Sequence, residues 1–377
     1  MSLLPTDPLS LVLYSLLIGS ALIQLYYLLV QFSSFSFRKS VETKVPSQWP
    51  AISVVICARN ELKNLRSFLP LVLDQDYPEF QVVVVNDCSW DESGNYLEEM
   101  ADAHPNLKIV TLNEQEKYQH GKKFALTLGI KGATHELLLL TDADCKPAGR
   151  KWIQSMVAGF LNGKDLVIGY GAYERKSGFL NKWIRFDTAM AALFFLSRAL
   201  KGKAYMGVGR NLAYKKDLFF RNKGFANHYH ILSGDDDLFV NEVAGPKNTA
   251  VIVNPDSITI SKPKERFSDW MSQRIRHLTA GKLYRSRDKR LLGIWHFSHL
   301  LFWISLFLSI GVKPEWVIPV SVFGVRFLIM TIISWKAFTQ LGEKDLIPFV
   351  LLFDVLTAMT NPLLGFVSLF RRNPKWA

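Results

Sequence analysis

Two acidic clusters are the first candidates for chemistry. Asp142-Ala143-Asp144 follows the apolar run Leu137–Leu140. Carboxylates one residue apart at the end of a buried strand suit a divalent cation bound through oxygen, Mg²⁺ or Mn²⁺. Ser233-Gly234-Asp235-Asp236-Asp237-Leu238 places three carboxylates side by side. Their mutual repulsion favours a raised pKa in one of them, as a general base requires. An acidic helix N-terminus favoured by the macrodipole accounts for the same residues, and the two readings are compatible. Asp91 and Asp217, by contrast, read as turn or capping residues.

Further polar groups stand at related positions. A first strand ends in Cys57-Ala58-Arg59-Asn60-Glu61 and a second in Asn86-Asp87-Cys88-Ser89. Gly207-Val208-Gly209-Arg210-Asn211 allows close backbone approach to a ligand, or simply a tight bend. Gln273-Arg274-Ile275-Arg276-His277 offers guanidinium groups suited to diphosphate oxygens, beside a basic membrane flank.

The elements that must position these groups are legible around them. Ile52–Cys57, Gln81–Val85, Leu107–Leu112 and Glu136–Leu140 are apolar runs without alternation, as expected of a parallel sheet covered on both faces. The segments between them, Asn60–Leu73, Asp91–Ala103 and Gly121–Lys131, have helical length. The predicted fold is α/β, and ligands of such sheets bind at the carboxyl ends of the strands, where the polar residues stand. Neither a G-x-G-x-x-G after the first strand nor a Walker loop is present, which argues against a dinucleotide dehydrogenase or P-loop ATPase.

The chain has 377 residues, 49% hydrophobic and 21% charged, with a net charge of +12. Pro8–Phe37 carries no charge, and apolar runs return after Arg290. The expected membrane spans are Leu9–Val30, Leu291–Val312, Trp316–Trp335 and Leu346–Phe370. Arg38, Lys39 and Lys44 follow the first span, which places the N-terminus outside and the next domain in the cytoplasm. Four full crossings would put Arg371, Arg372 and Lys375 outside, against the same rule, so one C-terminal segment is expected not to cross fully or to re-enter near Pro362. Arg326 and Asp354 lie at equal distance from Gln340 and are expected to pair within the spans. Trp270, Trp295 and Trp303 are expected at the membrane interface. Lys262–Arg290 holds ten basic and three acidic residues, a membrane-flank pattern rather than a nucleic-acid signature. Cys57, Cys88 and Cys145 read as free thiols. The expected division is a transmembrane anchor and linker (1–45), a cytoplasmic catalytic domain (46–290) and a C-terminal transmembrane region (291–377).

These motifs, in this order over roughly Pro50–Tyr284, resemble the family 2 glycosyltransferases, inverting enzymes of GT-A fold. The likeness is greatest to membrane-embedded members: hyaluronan, cellulose and poly-N-acetylglucosamine synthases and ceramide glucosyltransferases. The resemblance implies a nucleotide-diphospho-sugar donor, a UDP-sugar first among them, cradled by Ala58, Arg59, Glu61, Asp87, Lys122 and Asp142. It implies a metal on Asp142 and Asp144, an acceptor side at Gly209, Arg210 and Asn211, and a general base at Asp236, or at Asp235 if the motif is shifted by one. Gln273, Arg274 and Arg276 would meet the diphosphate. His277 stands where processive members carry Trp, which counts against polymer elongation. The implied setting is the cell (inner) membrane, with a lipid-linked or saccharide acceptor and membrane-protein partners of a polysaccharide or glycolipid pathway. The rival readings are a processive polysaccharide synthase and a catalytically inactive nucleotide-sugar-binding scaffold.

Overall fold

The computed structural model describes residues 7–39, 46–113, 121–231, 233–312 and 316–370. Lys44, Arg371, Arg372 and Lys375 lie outside them, as does the expected boundary at 45. Ten strands are described: β1 (Ile52–Ala58), β2 (Phe80–Asp87), β3 (Leu107–Leu112), β4 (Leu137–Asp142), β5 (Cys145–Pro147), β6 (Leu166–Ile168), β7 (Gly171–Tyr173), β8 (Leu212–Lys215), β9 (Thr249–Val251) and β10 (Thr259–Ser261). The main sheet runs β3-β2-β1-β4-β8-β6-β9. Its first four strands are parallel, and β8 is antiparallel to both β4 and β6. A small sheet, β5-β10-β7, flanks it.

Side chains alternate across a strand, so β1 sends Ile52, Val54 and Ile56 to one core and Val55 to the other. Helices α2 (Leu62–Leu73), α3 (Ser93–Ala103) and α5 (Trp152–Val157) cover the first face. Helices α4 (Lys122–Gly132) and α6 (Phe179–Leu200) cover the second. That second core continues without a break into the apolar helices, through Trp295, Phe338 and Phe353.

Helix α1 (Pro8–Ser36) is the first of four helices long and apolar enough to cross a membrane. Its segment Tyr27–Phe32 is wound as a π-helix. After α7 (Lys216–Arg221), α8 (Asp237–Val243) and α9 (Phe267–Gly281) come α10 (Ser286–Val312), α11 (Val317–Leu341) and α12 (Val350–Phe370). The expected division at 290/291 falls inside α10, which begins at Ser286.

The buried charges in these helices do pair. Arg326 donates to both oxygens of Asp354, at 2.7 and 3.2 Å. His299 and the Trp303 indole also meet that carboxylate, at 2.8 and 3.1 Å. Arg326 reaches Gln24 of α1 at 3.2 Å, so the network ties all four apolar helices.

Trp270, Trp295 and Trp303, expected at the membrane interface, are enclosed by protein. All three are buried: Trp270 against Trp183, Trp295 against Tyr27 and Phe32, Trp303 on Asp354. The indoles of Trp270 and Trp295 belong to the core shared by the α/β domain and the apolar helices, and Trp303 lies within the helix bundle.

Helix α12 enters the bundle through Asp354 and Ala358, yet both of its ends meet the α/β domain. Phe353 packs on Trp183 and Phe186. Asn361 lies 3.5 Å from Arg274, and Lys282 donates to the Ser368 carbonyl at 2.8 Å. The helix, with Pro362 inside it, therefore runs along α9. Its far end lies against Lys282, just after α9.

Candidate active site

The loops after β1 and β2 are laced together at the sheet's carboxyl edge. Asn60 has a positive φ of 54°. Its N–H donates to Ser89 Oγ at 3.0 Å, and its side chain accepts the Trp90 N–H at 2.9 Å. Asp91 accepts from Leu62 N and Ser93 N at 3.2 and 3.0 Å, the turn role expected of it. Asp217 pairs with Arg221 on the surface. This rim presents Ala58, buried at the end of β1, half-buried Arg59 and Glu61, and buried Asp87. Burial, with Asp144 and Asp142 nearby, raises the Glu61 carboxyl above its usual range.

Lys122, at the start of α4, joins the two acidic clusters. Its Nζ lies 2.8 Å from Asp142 Oδ1 and 3.0 Å from Asp235 Oδ2. Burial would lower its pKa, but the two carboxylates override this and hold it well above its ordinary value. Burial would likewise raise Asp235, but the Lys122 charge holds it low. Cys57, Thr141, Asp142, Gly209 and Asp236 line the same small cavity as Lys122 and Asp235.

The three adjacent carboxylates are sorted into three roles. Asp235 pairs with Lys122. Asp236 accepts the Gly209 N–H at 2.7 Å and the Asp237 N–H at 2.7 Å. Burial, and then the charge of Asp235, push Asp236 up to about 6. Asp237 turns into the core, where it accepts Tyr284 O–H at 2.6 Å and Leu238 N–H at 2.7 Å. Burial, then Asp236, push it up to about 8, so it is largely protonated at neutral pH. The preceding loop is pinned by buried Lys123, whose Nζ contacts His228 Nδ1 at 2.7 Å and the carbonyls of His228 and Ile231 at 2.6 and 2.9 Å.

Asp142, Asp144 and Cys145 bring ligand atoms within 4.8 Å of one another. Burial, then Asp142, raise the Asp144 carboxyl. A cluster of carboxylates that burden one another fits a divalent cation, whose charge removes the repulsion. The three cysteines are free.

The glycine-containing turn supplies scaffold as well as site. Asn211 is buried: its amide donates to the carbonyls of Tyr170 and Ser257 at 2.7 Å each and accepts from Trp152 at 3.0 Å. It therefore fixes the turn rather than facing an acceptor. Arg210 stacks over Tyr173, 4.4 Å from the ring centre, and donates to the Gly171 carbonyl at 2.7 Å. A Cβ on Gly171 would collide with the Arg210 chain. Gln273 reaches the Tyr173 hydroxyl at 3.3 Å, which brings α9 beside Arg210.

Arg274 is the site candidate that the structure diverts. Its Nε lies 3.0 Å from Asp187 of α6. Residues two apart on a helix point to opposite sides, whereas residues three and four apart share a face. Arg274 and Arg276, two apart, thus point to opposite sides: Arg276 is exposed beside Gln273, while Arg274 turns to α6. Sequence reasoning missed α6 and its buried ions Arg185 and Asp187, and also Tyr284. Their partners, Glu343, Asp345, Arg274 and Asp237, are distant in the chain.

The architecture is that of a GT-A-type fold, and residues 53–220 match the family described as Glycosyl transferase family 2. The chain is 32% identical over 126 residues to glycosyltransferase AglE of Haloferax volcanii, which covers 33% of this chain and 40% of that protein. It is 22% identical over 328 residues to the "Probable glycosyltransferase YdaM" of Bacillus subtilis, which covers 76% and 72% of the two chains. The mannosyltransferase PcManGT of Pyrobaculum calidifontis, solved in complex with GDP-Man and Mn²⁺, aligns with a TM-score of 0.58. That alignment covers 93% of this chain and 99% of the other at 17% identity, a likeness of fold.

Proposed function

We propose that the protein transfers a sugar, with inversion, from a nucleotide-diphospho-sugar to a hydroxyl of a lipid-linked or membrane-presented acceptor. The observation that carries this reading is the single cavity joining Asp142, Lys122, Asp235 and Asp236. It sets a donor side and a base side next to each other. Asp236 takes the acceptor hydroxyl proton, and the oxygen attacks the anomeric carbon. That bond forms as the anomeric C–O bond to the diphosphate breaks, and the nucleoside diphosphate leaves with the electron pair. The backbone N–H groups of Gly209 and Asp237 orient the base, and its pKa of about 6 suits proton uptake near neutrality.

Lys122 offsets negative charge on the donor side, and Arg276 on the exposed face of α9 meets the leaving diphosphate. Asp144 and Asp142 would hold Mg²⁺ or Mn²⁺, which when bound supplies positive charge against the diphosphate. A UDP-sugar is the donor implied by the sequence resemblance. The GDP-Man bound by the mannosyltransferase with the shared fold makes GDP-sugars the next to test. The domain faces the cytoplasm from the cell membrane. Processive synthesis ranks second, because His277 rather than Trp stands exposed on the Gln273 face.

The test is nucleoside diphosphate release by the purified full chain from UDP-, GDP- and dTDP-sugars. Mn²⁺, Mg²⁺ or EDTA would be added, with membrane lipid extract as acceptor. Metal-dependent release with one donor, stimulated by lipid and lost in Asp236→Asn, is expected. Nucleotide binding without release under any of these conditions would favour the inactive scaffold.

A further inference from the structure

We propose that the groove between α1 and α10 binds a phospholipid with an anionic headgroup, at a site separate from the transfer reaction. The groove is open along the surface, with a volume of about 600 Å³. Its α10 wall carries Arg287, Arg290, Leu291 and Ile294, and its α1 wall carries Leu22, Ile23 and Tyr26. Positions 287, 290, 291 and 294 follow helical i, i+3, i+4, i+7 spacing, so they form one stripe. That stripe is charged at the domain end and apolar toward the centre of the span. Its polarity matches a lipid whose phosphate sits at the membrane surface and whose chains run inward.

Charge complementarity selects the headgroup. Asp288, the nearest acid to Arg287, is buried and taken by Arg198 at 3.0 Å, while Arg287 approaches it only to 3.6 Å. Among the described residues Arg290 forms no ion pair, and both arginines are exposed. Two guanidinium groups one turn apart suit the oxygens of a phosphodiester, and the N-terminal dipole of α10 adds to the same field.

The groove is also built rather than incidental. The π-helical segment of α1 begins at Tyr27, whose hydroxyl donates to the Leu291 carbonyl at 2.7 Å and locks the two walls together. An aromatic layer separates the groove from the catalytic cavity. Tyr27 packs on Phe194, Phe194 on Tyr205, and Tyr205 on Tyr284, whose hydroxyl meets Asp237. The two cavities share no lining residue. A lipid held here is therefore a bound companion of the fold and not the acceptor.

The experiment counts lipids retained by the full-length protein. Protein from nanodiscs of phosphatidylcholine with a minority of phosphatidylglycerol is released into mild detergent and weighed by native mass spectrometry. Wild type is expected to retain phosphatidylglycerol in preference to phosphatidylcholine. Arg287→Ala/Arg290→Ala is expected to lower that retention roughly 30-fold, since each basic residue near an anionic surface multiplies affinity several-fold. Ile294→Trp, which fills the groove without changing charge, is expected to lower it as well. Lys289→Ala, on the opposite side of α10, is expected to leave it unchanged. Should Ile294→Trp fail to fold, Leu22→Trp fills the same groove from the other wall. Normal retention in the filled variant, an equal loss in Lys289→Ala, or no preference for phosphatidylglycerol would each overturn the site. Retention is read without donor or acceptor, so its outcome is independent of whether sugar transfer is observed.

Discussion

The Asp236 carboxylate accepts the backbone N–H of Gly209 at 2.7 Å, across a gap of 27 residues that no local pattern spans. Asp235 and Asp236 both line the cavity, and this contact holds Asp236 on the Gly209 side while Asp235 pairs with Lys122. Removing a general base costs about 10²–10⁴-fold in rate. Asp236→Asn is expected to lose transfer by that factor while nucleotide binding, followed by calorimetry, stays within a few-fold of wild type. Asp237→Asn, altering a carboxyl turned to Tyr284, is expected to keep most of the activity.

The same residue sets the pH dependence. Asp236 has a pKa of about 6, above its ordinary value, so below that pH it is protonated and cannot accept the acceptor's proton. The rate of the chemical step is expected to fall about tenfold per pH unit below 6 and to level off above it. A profile flat from pH 4.5 to 8 at saturating donor and metal would assign the base elsewhere.

Lys122 bridges Asp142 and Asp235. Lys122→Met leaves both carboxylates facing each other without a counter-charge. The expected result is a raised KM for donor and a stability loss of roughly 2 kcal/mol, the range of a hydrogen bond to a charged group. Asp235 is held below its ordinary pKa. The contribution of the pair is therefore present above the unfolded carboxyl range and is lost as pH falls through the lower folded value. Thermal unfolding of the two proteins should converge in acid.

Arg326 and Asp354 are buried and bidentate. Removing one partner of such a pair costs about 3–5 kcal/mol because the other charge is stranded. Arg326→Met and Asp354→Leu should each sharply lower the yield of folded protein, and the double variant should fare better than the sum of the two. Strict additivity in the unfolding midpoints would show that the ions act independently. A simple exchange of the two residues should not restore the wild type. His299 and Trp303 also contact the carboxylate of Asp354, and an arginine there would offer no acceptor.

The course of α12 is testable by labelling. Lys282 donates to Ser368, so exposed Phe370 is expected on the same side of the membrane as the α/β domain. A cysteine at 370 should react with a membrane-impermeant maleimide in open inverted vesicles and not from the opposite face. Reaction from the opposite face alone would mean that α12 crosses.

Much of this protein was legible without coordinates, for local reasons. Unbroken Val and Leu runs must be buried on both faces, which predicts the central parallel strands from Ile52 to Leu140 to within two residues at their ends. Long apolar runs, two of them free of charge and two carrying the single charges Arg326 and Asp354, predicted the apolar helices. Equal depth predicted the Arg326–Asp354 pair. What the chain alone left open depended on contacts between distant segments. Asp235, Asp236 and Asp237 are chemically identical in sequence; their separate partners, Lys122, Gly209 and Tyr284, give them different roles, while the Lys122 charge holds Asp235 low and burial with a neighbouring carboxylate raises the other two. Arg274 and Arg276 look alike beside Gln273, but the turn of α9 sends one to Asp187 and leaves the other at the surface. The residue types needed for chemistry are thus written in the sequence, while their assignment to donor, base or brace is decided by which neighbours the tertiary fold brings to each side chain.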